Sequence, residues 1–219
     1  MKQIRILGML LLITACKSSQ KIVDIPILFN EERELLTRQY MVQRYGIAQD
    51  TSTIVPKMIV LHWTAIPTLK GSFSAFNQPT LPNWRPELEG VSGLNVSSQF
   101  LVDQDGTIYR LMPETTMARH VIGLNHSAIG IENVGGTEER PLTRAQKKAN
   151  IWLVHYLKRK YPIDYLIGHY EYTQFEQHAL WLEKDSAYRT QKTDPGKEFL
   201  RKVKKATKNL NFKPTPKIK

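Results

Sequence analysis

Residues 58–62, Met-Ile-Val-Leu-His, set how the rest of this chain is read. Four apolar residues without a break are too few for a helix and suit a strand buried on both faces, and the run stops on a histidine. The same pattern recurs twice downstream. Residues 128–134 (AIGIENV) form an apolar run that carries Glu132 and is halted by Gly135-Gly136, and residues 165–167 lead into Gly168-His169. Residues 100–102 and 107–112 flank Asp103-Gln104-Asp105-Gly106, a turn that predicts a hairpin. A helix is predicted over 31–45, closed by Gly46, with Leu35, Leu36, Tyr40, Met41 and Val42 as its apolar face. Thr143 followed by Gln146 is a capping-box pattern; it opens a second helix carrying Ala149, Trp152, Leu153, Tyr156 and Leu157 and ending before Pro162. Phe199, Leu200, Val203 and Leu210 line a basic final helix. Alternating strands and helices predict an α/β domain, a central mixed β-sheet flanked by helices.

The composition narrows the function classes. With 219 residues, 41% hydrophobic and 23% charged, the chain can bury a core without covalent staples. Its single cysteine, Cys16, excludes an internal disulfide and a thiolate metal cluster, so a metal here would need histidine and carboxylate ligands. The formal charge of +11 suggests nucleic acid until it is located. Residues 197–219 hold most of it and residues 1–15 add Lys2 and Arg5, leaving the body nearly neutral. Such a body lacks the phosphate-binding groove of a nucleic-acid protein, and no nucleic-acid partner is expected.

Lys2 and Arg5 precede the apolar run 6–13, and Thr14 and Ala15 lead to Cys16. This is the layout of an export signal, too short for a permanent membrane span. Residues 13–16 (ITAC) resemble a bacterial lipobox, in which cleavage leaves the cysteine as the lipidated first residue. The expectation is a protein exported and lipid-anchored to the bacterial cell envelope through Cys16; a general secretory signal with an incidental cysteine is the other reading.

His62, Glu132, His169 and Asp194 are polar residues at or near the ends of these runs, where α/β sheets present side chains to ligands. Singly, each has a plain structural reading. A histidine at a strand end is commonly just hydrogen-bonded, and Asp194 before Pro195-Gly196 is a turn former. Glu132 inside an apolar run is rarer, because a carboxylate there must be paired or face a polar cavity.

The ordered segments are more telling than the single residues. They run from Val60-Leu61-His62-Trp63-Thr64-Ala65 through 98–113 (SQFLVDQDGTIYRLMP), Ala118-Arg119-His120 and 125–135 (NHSAIGIENVG) to Ile167-Gly168-His169 and Lys192-Thr193-Asp194-Pro195-Gly196. Together, over roughly 55–200, they resemble the zinc-dependent N-acetylmuramoyl-L-alanine amidases of type 2, whose fold is shared with peptidoglycan-recognition proteins. The resemblance implies one zinc ion held by His62, His169 and Asp194, with a fourth position open for water. It also implies Glu132 as general base, Lys192 as oxyanion stabiliser and His120 as a substrate contact. Peptidoglycan or muropeptides would be the partner, cut at the amide between N-acetylmuramic acid and L-alanine. A non-catalytic peptidoglycan-binding module of the same fold is the alternative.

On this reading the chain divides into a lipoprotein signal (1–15), a lipidated linker and helix (16–50), an amidase domain (51–210) and a basic tail (211–219). This chain places residues 170–193 between His169 and Asp194, more than many relatives do, and has Arg119 where the family often has an aromatic. The long segment reads as a lid, as a wall, or as the source of a competing ligand, His178. His126 and His155 read as structural or surface residues.

Overall fold

Among the described residues, six strands lie in one sheet: β1 (Ile22–Asp24), β2 (Met58–Leu61), β3 (Phe100–Val102), β4 (Ile108–Arg110), β5 (Ala128–Asn133) and β6 (Tyr165–Gly168). Their order is β1-β4-β3-β5-β2-β6; β3 and β4 form the expected antiparallel hairpin and every other pair is parallel, so the sheet is mixed. The computed structural model describes residues 20–83 and 90–217. The expected export signal and Cys16 lie outside the described residues.

All four residues of β2 are buried, as the unbroken apolar run requires. Strand alternation sends Ile59 and Leu61 to one core, with Leu153, Leu157 and Leu200, and Met58 and Val60 to another, with Val121, Tyr172 and Phe175. Burying each such aliphatic side chain is worth about 2 kcal/mol, so the centre of the sheet is its most firmly held part.

Among the described residues, four α-helices flank the sheet: α1 (Glu31–Tyr40), α2 (Leu69–Asn77), α3 (Arg144–Lys160) and α4 (Lys197–Ala206). The expected capping box opens α3: the Thr143 hydroxyl accepts from the Gln146 backbone at 3.0 Å and the Gln146 side chain accepts from the Thr143 backbone at 2.9 Å. Leu200 and Val203 seat α4 in the same core as α3. Past α4, Phe212 packs on that core and the Lys213 backbone donates to the Asp164 carbonyl at 2.8 Å, so the start of the basic tail is docked on the body.

Two elements escape the sequence patterns. β1 extends the sheet from a stretch of three residues, and α2 contains Gly71, Ser72 and Ser74, poor helix formers that dilute its periodicity. The predicted 31–45 helix forms as α1 plus one π turn, Met41–Tyr45, and ends at Gly46 in the left-handed region. Its buried face matches the predicted one only in part: Tyr40 and Met41 are inside and Leu36 packs beside them. Arg33 and Thr37 are inside as well, while Leu35 and Val42 are nearly half exposed. Arg33 donates from its guanidinium to the carbonyls of Phe76, Asn77 and Gln78 at the end of α2, satisfying acceptors that a helix leaves open.

Candidate active site

The sheet register assembles the site. Leu61 of β2 stands opposite Ile131 of β5 and Gly168 of β6, so the next residues along three parallel strands, His62, Glu132 and His169, become neighbours at one edge. They share the parity of Met58 and Val60, so they belong to the side away from α3 and α4. Asp194 arrives from the loop before α4, where its carbonyl accepts from the Tyr170 backbone at 3.2 Å.

Three ligand atoms converge. His62 Nδ1 lies 3.0 Å from His169 Nδ1 and 3.1 Å from Asp194 Oδ2, and His169 Nδ1 lies 3.0 Å from Asp194 Oδ2. All three residues are buried. Two imidazole nitrogens 3.0 Å apart repel if both present lone pairs, so they need either a proton on one of them or a cation between them. A tetrahedral zinc with bonds of about 2.0 Å separates its ligand atoms by about 3.3 Å, close to the edges of this triangle. Burial, reinforced by the neighbouring His62, lowers the His169 pKa to about 4, which keeps the ring neutral and able to ligate. Burial alone would raise the Asp194 carboxyl, but its contacts with His169 and His62 outweigh that and hold it well below the usual carboxylate range. One carboxylate and two imidazoles fit a catalytic zinc site with an open position.

The triad opens into a cavity of about 260 Å³ whose lining includes Glu132, Lys192 and His120, together with Trp63, Arg119 and Tyr188. All six residues assigned to the site from the sequence therefore meet in one place. Gly136, at φ 96°, lets Trp63 come so close that a Cβ at 136 would lie 2.3 Å from its ring. Arg119 reaches both walls: it donates to the Leu94 carbonyl on one side and to the Tyr188 hydroxyl, at 3.4 Å, on the other.

The 170–193 segment forms a wall. Its first part, His169–Phe175, is a 3-10 helix packed beneath the sheet, and its last part brings Tyr188, Thr190 and Lys192 to the cavity. His178 stands outside the triad: its Nε2 is 3.1 Å from the Tyr165 hydroxyl and its Nδ1 accepts from the Leu180 backbone at 3.1 Å. Tyr188, Thr190 and the packing role of Arg119 were not legible in the sequence, because a wall built from an irregular loop has no periodicity.

His126 is a structural residue, edge-on to Tyr45 with ring centroids 5.3 Å apart, and burial lowers its pKa to about 4. Its unfolded value is about 6.5, so the neutral ring stabilises the fold above that pH and the contribution is lost as pH falls through 4. Urea unfolding across this range should show stability falling from pH 6.5 to 4. His126→Phe, which keeps the aromatic edge, should flatten that fall; an unchanged slope would contradict it.

The model of a protein family described as N-acetylmuramoyl-L-alanine amidase matches residues 49–197, more than half of the chain. The chain belongs to this amidase family. No curated protein matches it. Among solved structures, the amidase fold is similar to N-acetylmuramoyl-L-alanine amidase LysC from Clostridium intestinale URNW, at 24% identity over 89% of this chain and 100% of that one, TM-score 0.54. It is also similar to the Ph2119 endolysin from the Thermus scotoductus MAT2119 bacteriophage, at 21% identity, 88% and 100% coverage and TM-score 0.51. Bumblebee PGRP-SA, at 19% identity, 90% and 99% coverage and TM-score 0.51, shares the fold as well. The amidase match spans every strand from β2 to β6 and ends at the first residue of α4, so the whole triad falls inside it.

Proposed function

We propose that this family member is a zinc-dependent amidase of the bacterial cell envelope that hydrolyses the bond between N-acetylmuramic acid and L-alanine in peptidoglycan. One observation carries the reading: two imidazole nitrogens and a carboxylate oxygen within 3.1 Å of one another, with Glu132 and Lys192 on the wall of the same cavity. His62, His169 and Asp194 would hold the ion, which supplies acidity to a bound water and polarises the amide carbonyl. Glu132, beside His62 in the register, takes the proton of the attacking water and returns it to the departing amide nitrogen as the C–N bond breaks. Lys192 places its ammonium toward the oxygen of the tetrahedral intermediate, where negative charge develops. The walls at Trp63 and Tyr188 exclude water and hold the muropeptide across the triad.

Mass spectrometry of purified muropeptides incubated with the zinc-loaded protein tests this directly. The expected product pair is a free stem peptide beginning with L-alanine and an intact sugar. Binding without release would favour the recognition-module reading, and cleavage within the peptide would make the protein a peptidase.

Export and anchoring rest on the N-terminal layout, Lys2 and Arg5, the apolar run 6–13, and Ile13-Thr14-Ala15-Cys16. The full chain expressed in a bacterium should partition with membranes, and Cys16→Ser should release it to the soluble fraction with its amidase activity unchanged. Wild-type protein that stays soluble after detergent-free lysis would contradict the anchor.

A further inference from the structure

His120 sits beside the triad in a row of polar contacts that leads from the edge of the sheet to His62. Its backbone N–H donates to Asn125 Oδ1 at 2.9 Å, and the Val121 N–H shares that acceptor at 2.7 Å. Asn125 is fixed in turn by donating to the Tyr45 hydroxyl at 2.8 Å. The ring lies flat over Gly130 of β5, where a Cβ would stand 2.9 Å from it; no other residue type leaves that space. Its Nε2 is 3.4 Å from the Ala128 carbonyl, and its Nδ1 is 3.0 Å from His62 Nε2, with the two rings nearly perpendicular.

With His62 Nδ1 presented to a cation, proton placement along this row is fixed. His62 can offer a lone pair at Nδ1 only if its proton sits on Nε2. That N–H is buried, with His62 1% exposed, and needs an acceptor. His120 Nδ1 is in position to accept it, which puts the His120 proton on Nε2, facing the Ala128 carbonyl. We propose that His120 is a positioning residue that holds His62 in the Nε2–H tautomer, with Nδ1 presented to the metal, and is itself oriented by the Ala128 carbonyl, Asn125 and Gly130. This rests on the zinc reading above. It gives His120 a task distinct from touching substrate, since both ring nitrogens are engaged within the protein. Partners of this kind raise metal affinity by about 10- to 100-fold.

The test compares zinc dissociation constants, by chelator competition, for the full chain in detergent as wild type, His120→Ala and His120→Asn. Imidazole nitrogen spectra of the metal-free wild type and variants give a second readout. His120→Ala should weaken zinc binding by about 10- to 100-fold. His120→Asn should recover most of it, because Asn Oδ1 can stand where His Nδ1 accepts. The metal-free wild type should show His62 as the Nε2–H tautomer, and His120→Ala should show a mixture. Equal zinc affinity in wild type and His120→Ala, or His62 protonated on Nδ1 in the wild type, would overturn the proposal. If the alanine variant fails to fold, the asparagine variant and the wild-type tautomer still decide it. Wild type that binds no zinc would overturn the zinc reading instead, and the tautomer would then judge His120 alone.

Discussion

Alanine in place of His169 or Asp194 is expected to abolish both zinc retention and hydrolysis. The three donor atoms form a triangle with edges of 3.0 to 3.1 Å, and each contributes one vertex. Removing His169 leaves one imidazole and one carboxylate, too few to hold zinc against water at ordinary concentrations. Removing Asp194 also takes away the one carboxylate of the donor triangle, leaving two imidazoles to bind a dication in a buried pocket. Nearby histidines offer little rescue, since His178 is bonded to the Tyr165 hydroxyl and the Leu180 backbone. Elemental analysis after dialysis, paired with the muropeptide assay, reads both effects. Full zinc occupancy in a His169→Ala/Asp194→Ala double variant would overturn the ligand assignment.

Glu132→Ala and Lys192→Ala should separate binding from turnover. Both residues line the cavity and neither is a vertex of the donor triangle, so each variant should keep its zinc. Loss of a general base or of an oxyanion partner costs on the order of a hundredfold or more in turnover, about 2.7 kcal/mol of transition-state stabilisation. The effect should appear in kcat more than in KM, because proton transfer and the oxyanion belong to the transition state. Unchanged rates in both variants would leave the polar groups of this cavity without a catalytic role and favour recognition without hydrolysis.

Much of the architecture was legible because it depends on local pattern. The unbroken runs at 58–61 and 165–167 announced strands buried on both sides, Asp105-Gly106 announced the hairpin turn, and Thr143 with Gln146 announced the start of α3. Each rests on chemistry within a few residues. α2 was hidden for the same reason, since its glycine and serines weaken the helical pattern and its end is secured by Arg33, which comes from a helix more than thirty residues earlier. The buried face of α1 kept Tyr40 and Met41 of its apolar stripe and added Arg33, whose bonds reach across the chain.

The site divides along the same line. Read alone, the chain located His62, Glu132, His169 and Asp194 at or near the ends of apolar runs and, through the ordered resemblance, named their chemistry. Chain order leaves open which strands are neighbours, and a slip of one residue would turn His62 or Glu132 to the opposite face. The parallel register of β2 with β5 and β6 settles this by placing Leu61 beside Ile131 and Gly168. The same packing brings His120 to His62 across 58 positions of chain and bends residues 170–193 into a wall that leaves His178 outside the triad. Residue types and local periodicity are properties of the chain itself, whereas distances of 3 Å between remote side chains exist only once the strands have paired and the two cores have closed around them.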